Sequence, residues 1–163
     1  MIPRQLYIND KDAWETWSVF LEEGSERALL LPANNKEFIS NKNRSEHGKR
    51  VIVDNPRLDE RDVQLVFCFL ADSEDDFLEK YDAFVAELNR GWVQMKVIKI
   101  KKVYNFTTTN FQDLGYYGQK GKLSVRFNEP NPIEQDPIKF YRILATESGQ
   151  VITTEDNKLI LTE

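Results

Sequence analysis

The sequence has few of the residues that usually carry chemistry or cross-link a fold. Its 163 residues include one cysteine, Cys68, and one histidine, His47. A single cysteine excludes an intramolecular disulfide, so nothing indicates an oxidising compartment. The opening residues lack the apolar stretch of a signal peptide, and no run approaches the roughly 18 apolar residues of a membrane span. We therefore expect a protein that does not associate with membranes.

The common catalytic and nucleotide-binding signatures are also missing. The sequence contains no G-x-S-x-G, no G-x-x-x-x-G-K-[ST] and no G-x-G-x-x-G. His47 stands in a polar segment, and Cys68 stands between two phenylalanines, which is typical of a small core residue. We predict no catalytic residue, cofactor or metal site. An enzyme with an unfamiliar carboxylate site stays open as a minor hypothesis, through Asp59, Glu60 and Asp62 or through the acids of "SEDD" (73–76).

The charge balance is acidic. The net charge is −5 and the sequence pI is about 5.1, which argues against nucleic-acid binding and against anionic membranes as partners. Hydrophobic residues make up 40% of the chain and aromatic residues 12%. That composition and length predict a globular chain with one main domain, in which the aromatic side chains favour strands.

One helix is predicted at about residues 73–90. Ser73 is a favourable N-cap, and the three acids after it suit the positive end of a helix dipole. Arg90 and Gly91 provide a typical end. The apolar residues recur at helical spacing; they are Phe77, Leu78, Tyr81, Phe84, Val85 and Leu88.

The remaining pattern is mainly β, so the fold class is predicted to be α+β, mainly β. "RDVQLVFCFLA" (61–71) predicts a strand buried on both faces, and "KLSVRF" (122–127) places Leu123, Val125 and Phe127 inward. "RALLLPA" (27–33) is interpreted as a brief strand, and "KRVIVDN" (49–55) as another strand. A change of apolar parity within "WVQMKVIKIKKVY" (92–104) predicts a bulge or sharp bend, and "DLGYYGQKG" (113–121) predicts a turn.

Two segments lack an evident role within one chain. Residues 33–48 form a polar stretch, longer than most loops of compact domains, which is often functional. Residues 133–163 form an extension with an imperfect repeat, "TESGQVIT" (146–153) followed by "TEDNKLIL" (154–161). We therefore divide the chain into residues 1–132 and 133–163. The candidate interface residues come from the polar stretch and from a Trp pair near the N-terminus; they are Asn34, Asn35, Phe38, Ile39, Trp14 and Trp17.

Residues 5–132 resemble the tail-tube and distal-tail (baseplate hub) proteins of long-tailed phages and prophages. The stretches that carry the resemblance are "LYINDKDAWETWSVFLEEGS", "ALLLPA", "DERDVQLVFCFLADSEDDFLEKYDAFVAEL" and "GKLSVRFNEPNP". The resemblance implies a β-sandwich or split barrel flanked by one helix, and assembly into rings, usually hexameric, around a channel. It also implies that residues 33–48 reach a neighbouring subunit.

The resulting hypothesis is a non-enzymatic structural protein of a phage or prophage tail. Its partners would be copies of itself and other tail or baseplate proteins, and its location the virion tail, assembled in the cytoplasm of the bacterial host. Position in the tube or in the hub stays open. The alternative, favoured by the aromatic content, is a β-barrel module that binds a small ligand or a peptide in an apolar pocket.

Overall fold

One antiparallel sheet dominates the molecule. The computed structural model describes residues 5–42, 45, 47–133, 135–138, 142–143 and 161–162. In chain order the elements are β1 Leu6–Ile8, β2 Lys11–Asp12, α1 Ala13–Trp17, β3 Val19–Leu21, α2 Glu23–Leu30, β4 Ile39–Asn41, β5 Arg50–Ile52, β6 Arg61–Leu70, α3 Glu74–Leu88, β7 Trp92–Val97, β8 Lys102–Tyr117, β9 Lys120–Glu129, β10 Arg142–Ile143 and β11 Leu161–Thr162.

Seven strands form the main sheet in the order β2-β1-β7-β8-β9-β6-β3. The α+β, mainly β class is therefore confirmed. The sheet is open, but Leu6 and Val97 at one end and Val19 and Leu21 at the other line the same cavity of about 150 Å³. Because residues from both ends line one cavity, the sheet curls until its ends face each other. Strands β4 and β5 form a separate hairpin, and β10 pairs with β11.

The core lies between the inner face of the sheet, defined here as the face that α3 covers, and α3 itself. Helix α3 begins after Ser73, whose Oγ accepts a hydrogen bond from the Asp76 N–H at 3.1 Å. This confirms the expected N-cap. Phe77, Phe84 and Leu88 point from α3 into the core and are almost fully buried. Phe84 is the centre of an aromatic cluster with Phe67 and Phe69 of β6.

Helix α2 corrects the sequence interpretation of residues 27–33 as a strand. Glu23–Leu30 are helical, and the polypeptide becomes extended only at Leu31. The cause is tertiary. Ser25 Oγ accepts a hydrogen bond from the Val66 N–H at 2.7 Å, and the Glu22 N–H donates to the Val66 carbonyl at 2.9 Å. The start of α2 therefore pairs the backbone N–H and carbonyl of Val66, at the edge of β6 beyond the end of the short strand β3.

Two other sequence interpretations change in detail. The parity switch in residues 92–104 is a tight turn between β7 and β8, at which Lys101 has a positive φ of 58°. The segment 113–121, interpreted as a turn, is mostly strand, and only the residues around Gly118, with φ of 66°, turn the chain. Gly121 lies under Phe77, and a Cβ there would come within 2.7 Å of the ring. Close packing, not turn geometry, requires that glycine.

The beginning of the C-terminal extension packs on the main sheet. The Val103 N–H donates to the Asp136 carbonyl at 2.9 Å, and the Ile138 N–H donates to the Lys101 carbonyl at 3.1 Å. Gln135 also donates to Glu129 at 2.9 Å. The expected repeat at residues 146–161 lies outside the described residues except for Leu161, which pairs with Ile143. The division at residue 132 stays a prediction.

Candidate assembly surface

A β-hairpin begins within the segment that the sequence presents as a loop and ends in the strand predicted after it. Strands β4 and β5 pair with Ile39 opposite Ile52 and Ser40 opposite Val51. We call residues 38–53 the arm. At its base, Asn35 bridges to Leu58, and the Asp59 N–H donates to the Asn34 carbonyl at 2.8 Å. The interpretation of residues 33–48 as a loop is therefore wrong for β4, whereas β5 lies within residues 49–55, where the sequence predicts a strand.

The arm exposes apolar side chains on both of its faces. Ile39 is 77% exposed, Ile52 opposite it is 56% exposed, and Val53 is 61% exposed. Phe38 is half-buried. A two-stranded hairpin is at best marginally stable on its own in water. Neighbouring exposed apolar side chains on such a hairpin are typical of a surface that another chain covers.

The arm is also basic within an acidic chain. Residues 38–53 contain four Lys or Arg and one Glu, whereas the whole chain has a net charge of −5. Lys42, Lys49 and Arg50 are exposed. His47 is exposed on the same segment. This charge contrast favours an acidic partner surface.

The structure separates the two tryptophans from the other four candidate residues. Trp17 is 3% exposed, its ring meets the Phe84 ring edge-to-face at 5.6 Å, and Lys11 Nζ lies 5.7 Å from its centroid. It is a core residue. Trp14 is half-buried beside Phe20 and lines the 150 Å³ cavity. Asn34, Asn35, Phe38 and Ile39 follow one another through the base of the arm and into β4, while α1 carries both tryptophans.

A second surface feature was missed by sequence reasoning, namely the free edge of β8. Strand β7 pairs with β8 only as far as Thr107, while β9 pairs with β8 as far as Tyr117. From Thr108 to Tyr117, the side of β8 away from β9 has no strand partner among the residues that the structure describes. The aromatic residues of this stretch favour a strand, but Gly115 lies within the segment that the sequence predicts to be a turn.

Structural contacts account for the acids at the start of α3. The Asp76 carboxylate pairs with Lys80 Nζ at 2.8 Å and accepts from the Asp72 N–H at 3.1 Å. These hydrogen bonds, from Lys80 first, lower the pKa of Asp76. Glu74 accepts a hydrogen bond from the Tyr116 hydroxyl, which raises the pKa of that tyrosine. The acids therefore cap the helix and tie it to β8.

The other acidic candidates lie at the start of β6. Asp62 accepts hydrogen bonds from Asn128 at 3.0 Å and from Arg126 at 2.8 Å, and these contacts lower its pKa. Glu60 accepts from the same Asn128 side chain at 3.2 Å. Within the described ranges, no three His, Cys, Asp or Glu side chains are grouped so that they could hold a metal ion. The same ranges contain no helix that is long and apolar enough to cross a membrane.

Comparison with known proteins supports the fold. No protein-family model and no curated protein matches the chain. The chain is similar to a solved structure, the SPP1 Dit (gp 19.1) protein, described as a paradigm of the hub adsorption apparatus in phages that infect Gram-positive bacteria. The TM-score is 0.61 at 13% identity over 81% of this chain. The match covers 51% of the SPP1 protein, so this chain spans about half of that protein's length. The resemblance drawn from the sequence is confirmed at the level of the fold.

Proposed function

We propose that this chain is a non-enzymatic structural component of a phage or prophage tail, which self-assembles into a ring of the tail tube or the baseplate hub. The observation that carries the proposal is the arm, a basic hairpin with exposed Ile39, Ile52 and Val53. The fold shared with a phage hub protein supports the same function. Its location would be the virion tail, after assembly in the cytoplasm of the bacterial host.

In this proposal the arm is the contact with a neighbouring copy. Phe38 and Ile39 would lie in the interface, and Asn34 and Asn35 would hold the base of the arm through their backbone groups. Burying a fully exposed Ile side chain contributes about 1.5–3 kcal/mol, so the partly exposed Ile39, Ile52 and Val53 would supply a substantial part of the free energy of association. Trp14, beside the cavity between the ends of the sheet, would form a smaller second contact.

The ligand-binding alternative receives less support. The cavity beside Trp14 has a volume of about 150 Å³, whereas small-molecule sites are usually about 300–1,000 Å³. Two depressions reach that range, about 420 Å³ beside Val103 and about 360 Å³ beside Tyr117, but both are more open to solvent than this cavity. Leu6, Val19 and Val97 line the cavity beside Trp14, and the Glu26 carboxylate lies 2.5 Å from Lys99 Nζ at its margin. A cavity of that size suits one side chain of a partner better than a separate ligand.

The test is the oligomeric mass of the wild-type chain beside an arm variant, Ile39→Asp with Ile52→Asp, measured by light scattering across a concentration series. We expect a wild-type oligomer. The variant should need on the order of 100-fold more protein to associate, because two buried apolar side chains become charged. Circular dichroism should show an unchanged fold, since neither side chain is part of the core.

The control is Leu70→Asp, which places one aspartate at an exposed apolar residue of β6 outside the arm. We expect it to assemble like the wild type. A folded wild-type chain that stays monomeric throughout, or equal loss of assembly in the control, would contradict the proposal.

A further inference from the structure

The free edge of β8 is a site at which another strand can be added. Strand β8 continues ten residues past its last pairing with β7, from Thr108 to Tyr117, with β9 on one side only. Natural sheets usually cover, shorten or charge such edges, because unpaired N–H and C=O groups recruit strands from other chains. Two register shifts, between Thr108 and Asn110 and between Phe111 and Asp113, bend this part of the strand without covering its edge.

Apolar side chains accompany this edge. Phe111, Leu114 and Tyr116 lie opposite inward-facing residues of β9, so they point to the inner face, yet Leu114 is 40% and Tyr116 is 42% exposed. Leu114 and Tyr116 are exposed to solvent because α3 covers only part of this face. We call the region formed by residues 108–117 and the adjoining side of α3 the α3–β8 groove.

The adjoining side of α3 is also partly apolar. The Glu74 contact with Tyr116 and the hydrogen bond from Thr108 Oγ1 to the Leu88 carbonyl, at 2.9 Å, place this side of the helix along β8. Leu78 and Val85 occupy the same side at helical spacing from Glu74. Leu78 is 48% exposed and Val85 is half-buried. The edge of β8 therefore has an apolar wall beside it.

The charge around the groove is opposite to that of the arm. The exposed residues of α3 include four acids, which are Glu74, Asp75, Glu79 and Asp82. Lys80 of the same helix is already paired with Asp76, and Arg90 with Glu87. A basic, apolar strand is therefore the complementary occupant, and the arm is the described segment with those properties.

We propose that the arm of one copy docks in the α3–β8 groove of the next copy, with one arm strand hydrogen-bonded along residues 108–117. The inference rests on the self-assembly proposed above and names its two complementary surfaces. Ile39 or Ile52 packs against Leu78 and Leu114, while Lys42 and Lys49 face the acids of α3. Such a contact joins different surfaces of the two copies, so it is heterologous and builds a ring when the rotation between copies closes.

The test uses thiol cross-linking between copies. Two variants are made, Ile52→Cys in the arm and Leu114→Cys in the groove, and they are mixed with a short bismaleimide. Cys68 is 8% exposed and stays in both as a background thiol. We expect a covalent dimer from the mixture and none above background from either variant alone. The control pair, Ile52→Cys with Leu30→Cys, should give no dimer, since Leu30 is exposed at the end of α2, beside Tyr104 and away from residues 108–117.

The outcomes distinguish failure of the docking mode from failure of self-assembly. A chain carrying both new cysteines should give a ladder of covalent oligomers. Oligomers that form without the Ile52–Leu114 product would overturn the docking mode but leave self-assembly intact. A monomeric product with an internal cross-link would show that the arm lies in the groove of the same copy, and this result would also overturn the docking mode. A chain that never associates would overturn both proposals.

A charge-reversal series gives an independent reading. Lys42→Glu with Lys49→Glu in the arm, or Glu79→Lys with Asp82→Lys on α3, should each weaken association about tenfold at low salt. A chain that carries all four changes should regain most of this loss, because the complementary charges are restored in reverse. If the fourfold variant associates more weakly than either pair, the arm and α3 do not face each other.

Discussion

Replacing Phe84 with alanine is expected to lower the free energy of unfolding by about 3–5 kcal/mol, one of the two largest effects that the structure predicts for a single substitution. Phe84 is fully buried, and its ring lies 5.1 Å from Phe67, 5.4 Å from Phe69 and 5.6 Å from Trp17. These partners belong to β6 and α1, so the substitution removes aromatic contacts that join α3 to two other elements. The cavity left behind would be lined by aromatic rings held in β6 and α1, so it could not close unless the sheet moved.

The measurement is the urea midpoint of Phe84→Ala beside Leu78→Ala. Leu78 lies on the same helix but is 48% exposed, so its substitution should cost less than about 1 kcal/mol. Near-equal midpoints for the two variants would show that α3 does not cover the core as described.

Replacing Arg61 with methionine is expected to cost about 3–5 kcal/mol, because it leaves the Glu129 carboxylate buried without its ionic partner. Arg61 Nε donates to Glu129 Oε2 at 2.8 Å, and the two side chains are 8% and 1% exposed. The guanidinium also donates to the Leu29 carbonyl at 3.2 Å and to the Leu31 carbonyl. Arg61 therefore holds the end of α2, directly before the chain enters the base of the arm.

A double variant, Arg61→Met with Glu129→Leu, separates the charge effect from packing. Because a buried ion pair often contributes little more than a well-packed apolar pair, we expect the double variant to be more stable than Arg61→Met alone. Thermal unfolding of the wild type and the two variants in one buffer checks this. If the double variant is instead the least stable, the pair contributes by a route other than charge compensation.

The elements that the sequence predicts well are those with a local cause. Ser73 and the helical stripe from Phe77 to Leu88 define α3, observed as Glu74–Leu88 within the expected 73–90. The alternation of Leu123, Val125 and Phe127 defines β9, and all three are buried. Capping and periodicity operate within one element, so a single sequence is enough to show them.

The elements that it predicts poorly depend on distant contacts. Residues 27–33 contain three consecutive leucines, a pattern that suits a helix or a strand, and the hydrogen bonds between Ser25 and Val66 decide for the helix. The length of β8 was also hidden, because Gly115 and Gly121 were interpreted as turn residues. The Phe77 ring over Gly121 explains that glycine, and no sequence pattern shows a close approach between segments so far apart.

The proposed interface is visible only in part in the sequence, for the same reason. The unusual length and polarity of residues 33–48 drew attention to the arm, and Phe38 and Ile39 lie there. The exposed Ile52 and Val53 lie just beyond that segment, in a stretch interpreted as an ordinary strand. Trp17 is the reverse case. The sequence names it as a candidate interface residue, but in the structure it is buried against Phe84.

Electron microscopy of the purified wild-type chain tests the central claim, self-assembly through the arm, most directly. We predict closed rings with a central channel, and their absence in the Ile39→Asp, Ile52→Asp variant at the same concentration. Rings that persist when both arm residues are charged would contradict the account. So would a wild-type chain that micrographs and light scattering both show to be monomeric at the same concentrations.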